Sequence, residues 1–96
     1  MEKKGIAVID IGSNSIRFLG KDPDKQLVTT RLAEGLVSTG MLSEAAMARS
    51  VAAIVSFAEA ARKDGLIPYA YATSAVRDAR NRADFLARVE HAAGLR

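Results

Sequence analysis

The chain has no cysteine and no tryptophan, and only one histidine and two prolines among its 96 residues. Without cysteine, neither a disulfide framework nor a thiolate metal centre can form. The lone histidine, His91, has no second imidazole with which to hold a metal and fits no Ser-His-Asp arrangement. It lies late in a helical segment and is expected to be exposed. Aromatic residues make up 5%, which is thin for a surface that stacks nucleic-acid bases. Lysine and arginine are scattered, so the net charge of +3 suits an anionic small molecule and argues against a specific nucleic-acid partner. No apolar stretch approaches the roughly 20 residues of a membrane span. Met1-Glu2-Lys3-Lys4 runs straight into an apolar segment, so no secretory leader is expected. The expectation is a cytoplasmic protein without membrane association. The two familiar glycine-rich phosphate motifs, G-x-x-x-x-G-K-[ST] and G-x-G-x-x-G, are also missing.

What remains is an ordinary globular balance, 49% apolar and 26% charged, at a length that suits one small domain. Its organising stretch is Ile6-Ala7-Val8-Ile9-Asp10-Ile11-Gly12-Ser13-Asn14-Ser15-Ile16-Arg17-Phe18-Leu19. Ile6–Ile11 is rich in β-branched residues and too short for a good helix, so it reads as a buried strand, and Ile16–Leu19 reads likewise. The short connection makes the pair antiparallel and puts Gly12–Ser15 at a hairpin tip. Consecutive turn N–H groups can converge on an anion, and Ser13, Asn14 and Ser15 add polar side chains. Asp10 would meet a phosphate only through a divalent cation or an ordered water, with Arg17 close by. The same residue types also make an ordinary hairpin turn, and spacing alone leaves both readings open.

The second strand is expected to reach Lys21, followed by a turn at Asp22-Pro23-Asp24-Lys25 and a third strand over Gln26–Leu32. Ala33–Gly40 reads as a connection. Ser43 is the expected N-cap of a long helix, Glu44 to Lys63, with an apolar stripe at Met47, Val51, Ile54, Ala58 and Ala61 and a stop at Gly65. Leu66–Thr73 is a fourth strand, reached by a helical crossover and hence parallel to the first. Tyr69 and Tyr71, on one face of it, are expected to pack against a helix. Asn81 is the expected N-cap of a second helix, Arg82 to Ala93, which buries Phe85, Leu86, Val89 and Ala92 and stops at Gly94. Parallel strands one and four would bring Thr73, Ser74 and Ala75 beside the hairpin tip, at the rim where α/β sheets take ligands. In the segment from Thr73 to Arg82, hydroxyls and guanidinium groups suit phosphate oxygens. Ser74 and Arg77 stand nearest the rim, while Arg80 and Arg82 read better as a solvated helix entrance.

Asp10-Ile11-Gly12-Ser13-Asn14-Ser15-Ile16-Arg17 resembles the first phosphate loop of the exopolyphosphatase and guanosine pentaphosphate phosphatase (Ppx/GppA) family. Three further stretches match in order: Thr30-Arg31-Leu32-Ala33-Glu34-Gly35-Leu36, Thr39-Gly40-Met41-Leu42-Ser43, and Ala72-Thr73-Ser74-Ala75-Val76-Arg77-Asp78-Ala79-Arg80-Asn81. The departures are Ala33, where the family usually has Gly, and a short turn at 22–25. The resemblance implies an α/β fold, a partial actin-like (ribonuclease-H-like) domain of order β-β-β-α-β-α, with helices packed on a mixed sheet. It implies Mg²⁺-dependent hydrolysis of a terminal phosphoanhydride in inorganic polyphosphate or pppGpp. By position, Asp10 would hold the metal. Gly12, Ser13, Asn14, Ser15, Arg17, Thr73, Ser74 and Arg77 would bind phosphate.

The family's catalytic glutamate, second phosphate loop and second domain have no counterpart in residues 1–96. The expectation is therefore a single partial N-terminal domain, weak in binding and poor in turnover alone, whose fourth strand is an apolar edge open to self-association or homodimer formation. Two other readings stand beside this one. The first is an actin-like sugar kinase lobe, which also opens with an Asp-x-Gly hairpin but is disfavoured by the Thr-Ser-Ala-x-Arg segment. The second is a non-catalytic fragment that binds (p)ppGpp or polyphosphate.

Overall fold

Alternation along the first two strands decides how the sheet sits. Ala7, Ile9, Ile11, Ile16 and Phe18 are buried, whereas Ile6, Arg17 and Leu19 are exposed, so one sheet face carries the core. In the computed structural model of the chain, residues 5–21 and 26–95 are described. The turn expected at 22–25 lies outside the described residues. The elements are β1 (Ile6–Ile11), β2 (Ser15–Leu19), β3 (Gln26–Thr29), α1 (Leu36–Thr39), α2 (Glu44–Lys63), β4 (Ile67–Ala72), α3 (Ser74–Asp78) and α4 (Arg82–Ala93). The sheet order is β3-β2-β1-β4. β1 is antiparallel to β2 and parallel to β4, and β2 is antiparallel to β3. This is the expected mixed sheet and β-β-β-α-β-α order, with the short helices α1 and α3 added in the connections.

The crossover helix α2 lies against β1, β2 and β4, and α4 packs on α2. Ser43 caps α2 as expected, its hydroxyl accepting the Ala46 N–H at 3.1 Å. Gly65 and Gly94 follow the ends of α2 and α4 with φ of 75° and 67°, the left-handed geometry that frees the chain to leave a helix. Met47, Ile54, Ala58 and Ala61 are buried as the stripe requires, with Val51 half-buried, and Ala46, Ser50 and Phe57 widen it. Phe57 stacks on Phe18 of β2, with ring centroids 4.8 Å apart.

Four local expectations are corrected. β3 stops at Thr29, well before Leu32, because the Thr30 N–H makes the last ladder bond, to the Asn14 carbonyl at 3.0 Å, and Arg31, at a φ of 52°, turns its own N–H back to that same carbonyl at 2.9 Å. β2 ends at Leu19 and not at Lys21. On α4, Phe85 and Val89 are buried, but Leu86 is 45% exposed and Ala92 is exposed, while Ala93 is buried in its place. α4 meets α2 along one narrow row of side chains four apart, and Leu86 is rotated off that row. Tyr69 and Tyr71 are 56% and 53% exposed. They share the outer face of the sheet, opposite the one against which α2 lies.

Asn81 has a different role from the one its position implies. Its side chain makes no cap bond. Its Oδ1 accepts the Leu42 N–H at 2.8 Å, and its Nδ2 donates to the Leu42 carbonyl at 2.9 Å. One amide side chain thus ties the entrance of α4 to the segment before α2. Asn81→Ala leaves the Leu42 N–H and carbonyl without this partner and is expected to cost about 2 kcal/mol of unfolding free energy, measurable by urea titration. Arg88 makes a second link. It donates to both Glu44 carboxylate oxygens, at 2.7 and 2.9 Å, and to Asp84. These bonds hold the Glu44 carboxyl below its ordinary value and raise the Arg88 guanidinium. No helix among the described residues is long and apolar enough to cross a membrane.

Candidate functional site

Parallel pairing of β1 and β4 places two sequence-distant stretches at one rim. Ile11 stands beside Ala72. One residue on, Thr73 donates both its N–H, at 3.2 Å, and its hydroxyl, at 3.3 Å, to the Ile11 carbonyl. Asp10, Gly12, Ser13, Asn14, Ser15, Arg17 and Thr73 together line one open cavity of about 310 Å³. Ser74 opens α3 immediately after Thr73. Arg77 lies in the last turn of α3, exposed and outside that lining. Arg80 does not approach the cavity. It donates to the Thr39 carbonyl, and its N–H bonds the Gly40 carbonyl.

The hairpin turn is organised by its carbonyls. Gly12 N–H closes the turn on the Ser15 carbonyl at 3.1 Å. The Asn14 carbonyl accepts Thr30 and Arg31, and the Ser13 carbonyl accepts Ala33 at 2.9 Å. In a trans peptide the N–H points opposite the C=O. Drawing the Ser13 and Asn14 carbonyls toward residues 30–33 therefore turns the Asn14 and Ser15 N–H groups away from them. Among the described residues, the N–H groups of Ser13, Asn14 and Ser15 have no protein acceptor. Such a set of adjacent unpaired amides is a concave donor surface for an anion. The brace in turn is held by α2, since Arg49 Nε donates to the Thr30 carbonyl at 3.0 Å and its Nη2 pairs with Glu34 at 2.8 Å.

Asp10 and Arg17 face each other across β1 and β2. They make no ion pair among the described residues. The Asp10 Oδ1 is buried and has no hydrogen-bond partner. A buried, unsatisfied carboxylate oxygen at the wall of a polar cavity fits a hard divalent cation or its water. Magnesium in particular is held by one or two carboxylates, with water and phosphate completing its shell. No group of three or more His, Cys, Asp or Glu that could form an all-protein cage occurs among the described residues.

Sequence reasoning missed three residues that lie beside the cavity without lining it. Thr29 stands opposite Ser15 in the sheet, with their hydroxyls 3.4 Å apart. Arg31 belongs to the 30–33 segment that braces the turn, and Arg49 bonds that segment from α2. Arg31 carried a signal, being part of a stretch already singled out. Arg49 carried none, since it lies mid-helix at a position that reads as solvent-facing.

Comparisons with known proteins identify relatives of the chain. The model of the Ppx/GppA phosphatase family matches residues 6–96. Exopolyphosphatase 1 of Mycobacterium tuberculosis H37Rv is 34% identical over 94% of this chain. The Mycobacterium leprae protein of the same name is 34% identical over 95%. The chain spans 29% of the length of the first and 30% of the second. The crystal structure of an Aquifex aeolicus member of the Ppx/GppA protein family superposes with a TM-score of 0.84 and 29% identity. That match covers 94% of this chain and 32% of the other. The fold is accordingly that of the actin-like proteins of this kind.

Proposed function

Because the chain belongs to the Ppx/GppA phosphatase family, we propose that its hairpin turn is the phosphate-binding lobe of a Mg²⁺-dependent phosphohydrolase that removes terminal phosphate from inorganic polyphosphate or pppGpp. The observation that carries this reading is that Asp10, Gly12–Ser15, Arg17 and Thr73 line one polar cavity together. The unpaired amides and the Ser13, Asn14 and Ser15 side chains supply donors for phosphate oxygens, and Arg17 supplies positive charge. Asp10 would hold the metal, whose contribution when bound is to neutralise phosphate charge. Phosphoryl transfer depends chiefly on positioning and charge neutralisation, and these residues perform both. Apart from Asp10, none of the residues lining the cavity is a carboxylate or an imidazole. The part assigned to this chain is therefore to bind and orient the phosphate. Ser74 and Arg77, which follow Thr73 in α3, are proposed to extend the phosphate contacts. Family membership favours this reading over a sugar kinase lobe.

Gly12 provides the test. A Cβ there would lie 2.8 Å from the Ser15 carbonyl oxygen, so Gly12→Ala must open the turn. Calorimetric titration with tripolyphosphate and Mg²⁺ is expected to show binding to the unaltered chain, weakened about tenfold in Gly12→Ala through loss of charge-assisted hydrogen bonds. No binding by the unaltered chain, or equal binding by the variant, would remove the turn from the site. Parallel titration with pppGpp separates the two substrate classes.

A further inference from the structure

A second polar recess of about 430 Å³ adjoins the cavity and is lined by Thr29, Arg31, Glu34 and Arg49. The two are linked by the Ser15 and Thr29 hydroxyls, 3.4 Å apart. Ser15 lines one space and Thr29 the other. Arg49 is paired with Glu34, and Arg31 makes no ion pair among the described residues, which leaves the recess net positive. Arg31 is also the one non-glycine residue with positive φ among the described residues, at 52°. For an L-residue with a long side chain that backbone state is strained. Glycine would adopt it freely. The backbone role of Arg31, its N–H on the Asn14 carbonyl, needs no side chain at all. Arg31 thus keeps a strained backbone, and among the described residues no carboxylate pairs with its guanidinium.

We propose that the recess of Thr29, Arg31, Glu34 and Arg49 is a second anion subsite, which receives inner phosphate groups of a linear polyphosphate whose terminal group lies at the Gly12–Ser15 turn. The subsite rests on the phosphate-binding reading of that turn and adds chain-length selection to it. Tripolyphosphate would fill the turn alone. A chain of many residues would continue past Ser15 and Thr29 to the Arg31 guanidinium, with Arg49 positioning Glu34 and the Thr30 carbonyl beside it.

Arg31→Gly tests the subsite without endangering the fold, because it relieves the backbone strain and keeps the bond to Asn14. Thermal unfolding should show a melting temperature at or above that of the unaltered chain. Calorimetry with Mg²⁺ should show affinity for long-chain polyphosphate reduced about tenfold by loss of one charge-assisted contact, with tripolyphosphate affinity unchanged. Arg31→Lys should recover part of the loss, since it restores charge without the planar fork. If Arg31→Gly leaves long-chain affinity intact, the recess binds no phosphate. If it weakens both ligands equally, Arg31 belongs to the first site and the second does not exist. If the unaltered chain binds neither ligand, the turn is not a phosphate site and the subsite falls with it.

Discussion

Asp10→Asn is expected to abolish the magnesium-dependent part of polyphosphate binding and to leave the fold standing. The side chain sits near the end of β1, with Oδ1 buried and unpartnered at the wall of the cavity. Asparagine has nearly the same shape but no negative charge, so it cannot hold a hard cation as a carboxylate does. Loss of the one protein ligand proposed for the metal should lower Mg²⁺-supported affinity for tripolyphosphate about a hundredfold, above the effect seen when residues that merely orient ligands are changed. Stability should not fall. An unsatisfied buried acceptor costs roughly 1–3 kcal/mol, and the variant removes a charge that the folded chain does not pair. Titrations with and without Mg²⁺, together with a thermal melt, check both halves. An undiminished magnesium effect in Asp10→Asn would place the metal elsewhere.

Phe85→Ala should have the largest effect on stability. Phe85 is wholly buried and heads the fully buried side chains by volume, on the row where α4 meets α2. Truncation of a buried phenylalanine to alanine costs about 3–5 kcal/mol through lost transfer energy and the cavity left behind. A domain of this size has roughly 5–10 kcal/mol in hand, so urea unfolding should show a midpoint moved far toward zero denaturant. Leu86→Ala, one residue along, should cost less than about 1 kcal/mol, because that side chain is half in solvent. Equal losses at both positions would mean that α4 is rotated from the orientation described.

That contrast also marks where sequence reading ends. Phe85 and Leu86 are both apolar neighbours in a helical pattern, and the pattern cannot say which of them faces α2. Periodicity defines a stripe, and the partner helix decides its centre. The same holds for Tyr69 and Tyr71. Alternation shows that they share a face, but only the one-sided placement of α2 shows that this face is the open one. Asn81 reads as a helix cap on local grounds, and its actual partners lie 39 residues away at Leu42.

Local chemistry was enough for the element order, the limits of α2 and α4, and the parallel placement of β4 beside β1. Caps, left-handed glycines and apolar periods act within a turn or two, and a helical crossover constrains strand direction, so none of these needed the folded chain. They also bring Thr73 to the rim of the Gly12–Ser15 turn. The tertiary structure alone decided that the Thr30–Ala33 segment grips the turn by its carbonyls and that Arg31 and Arg49 gather beside it. Those contacts join residues distant in the chain through backbone groups that every sequence possesses, and backbone groups carry no letter that could announce their partners.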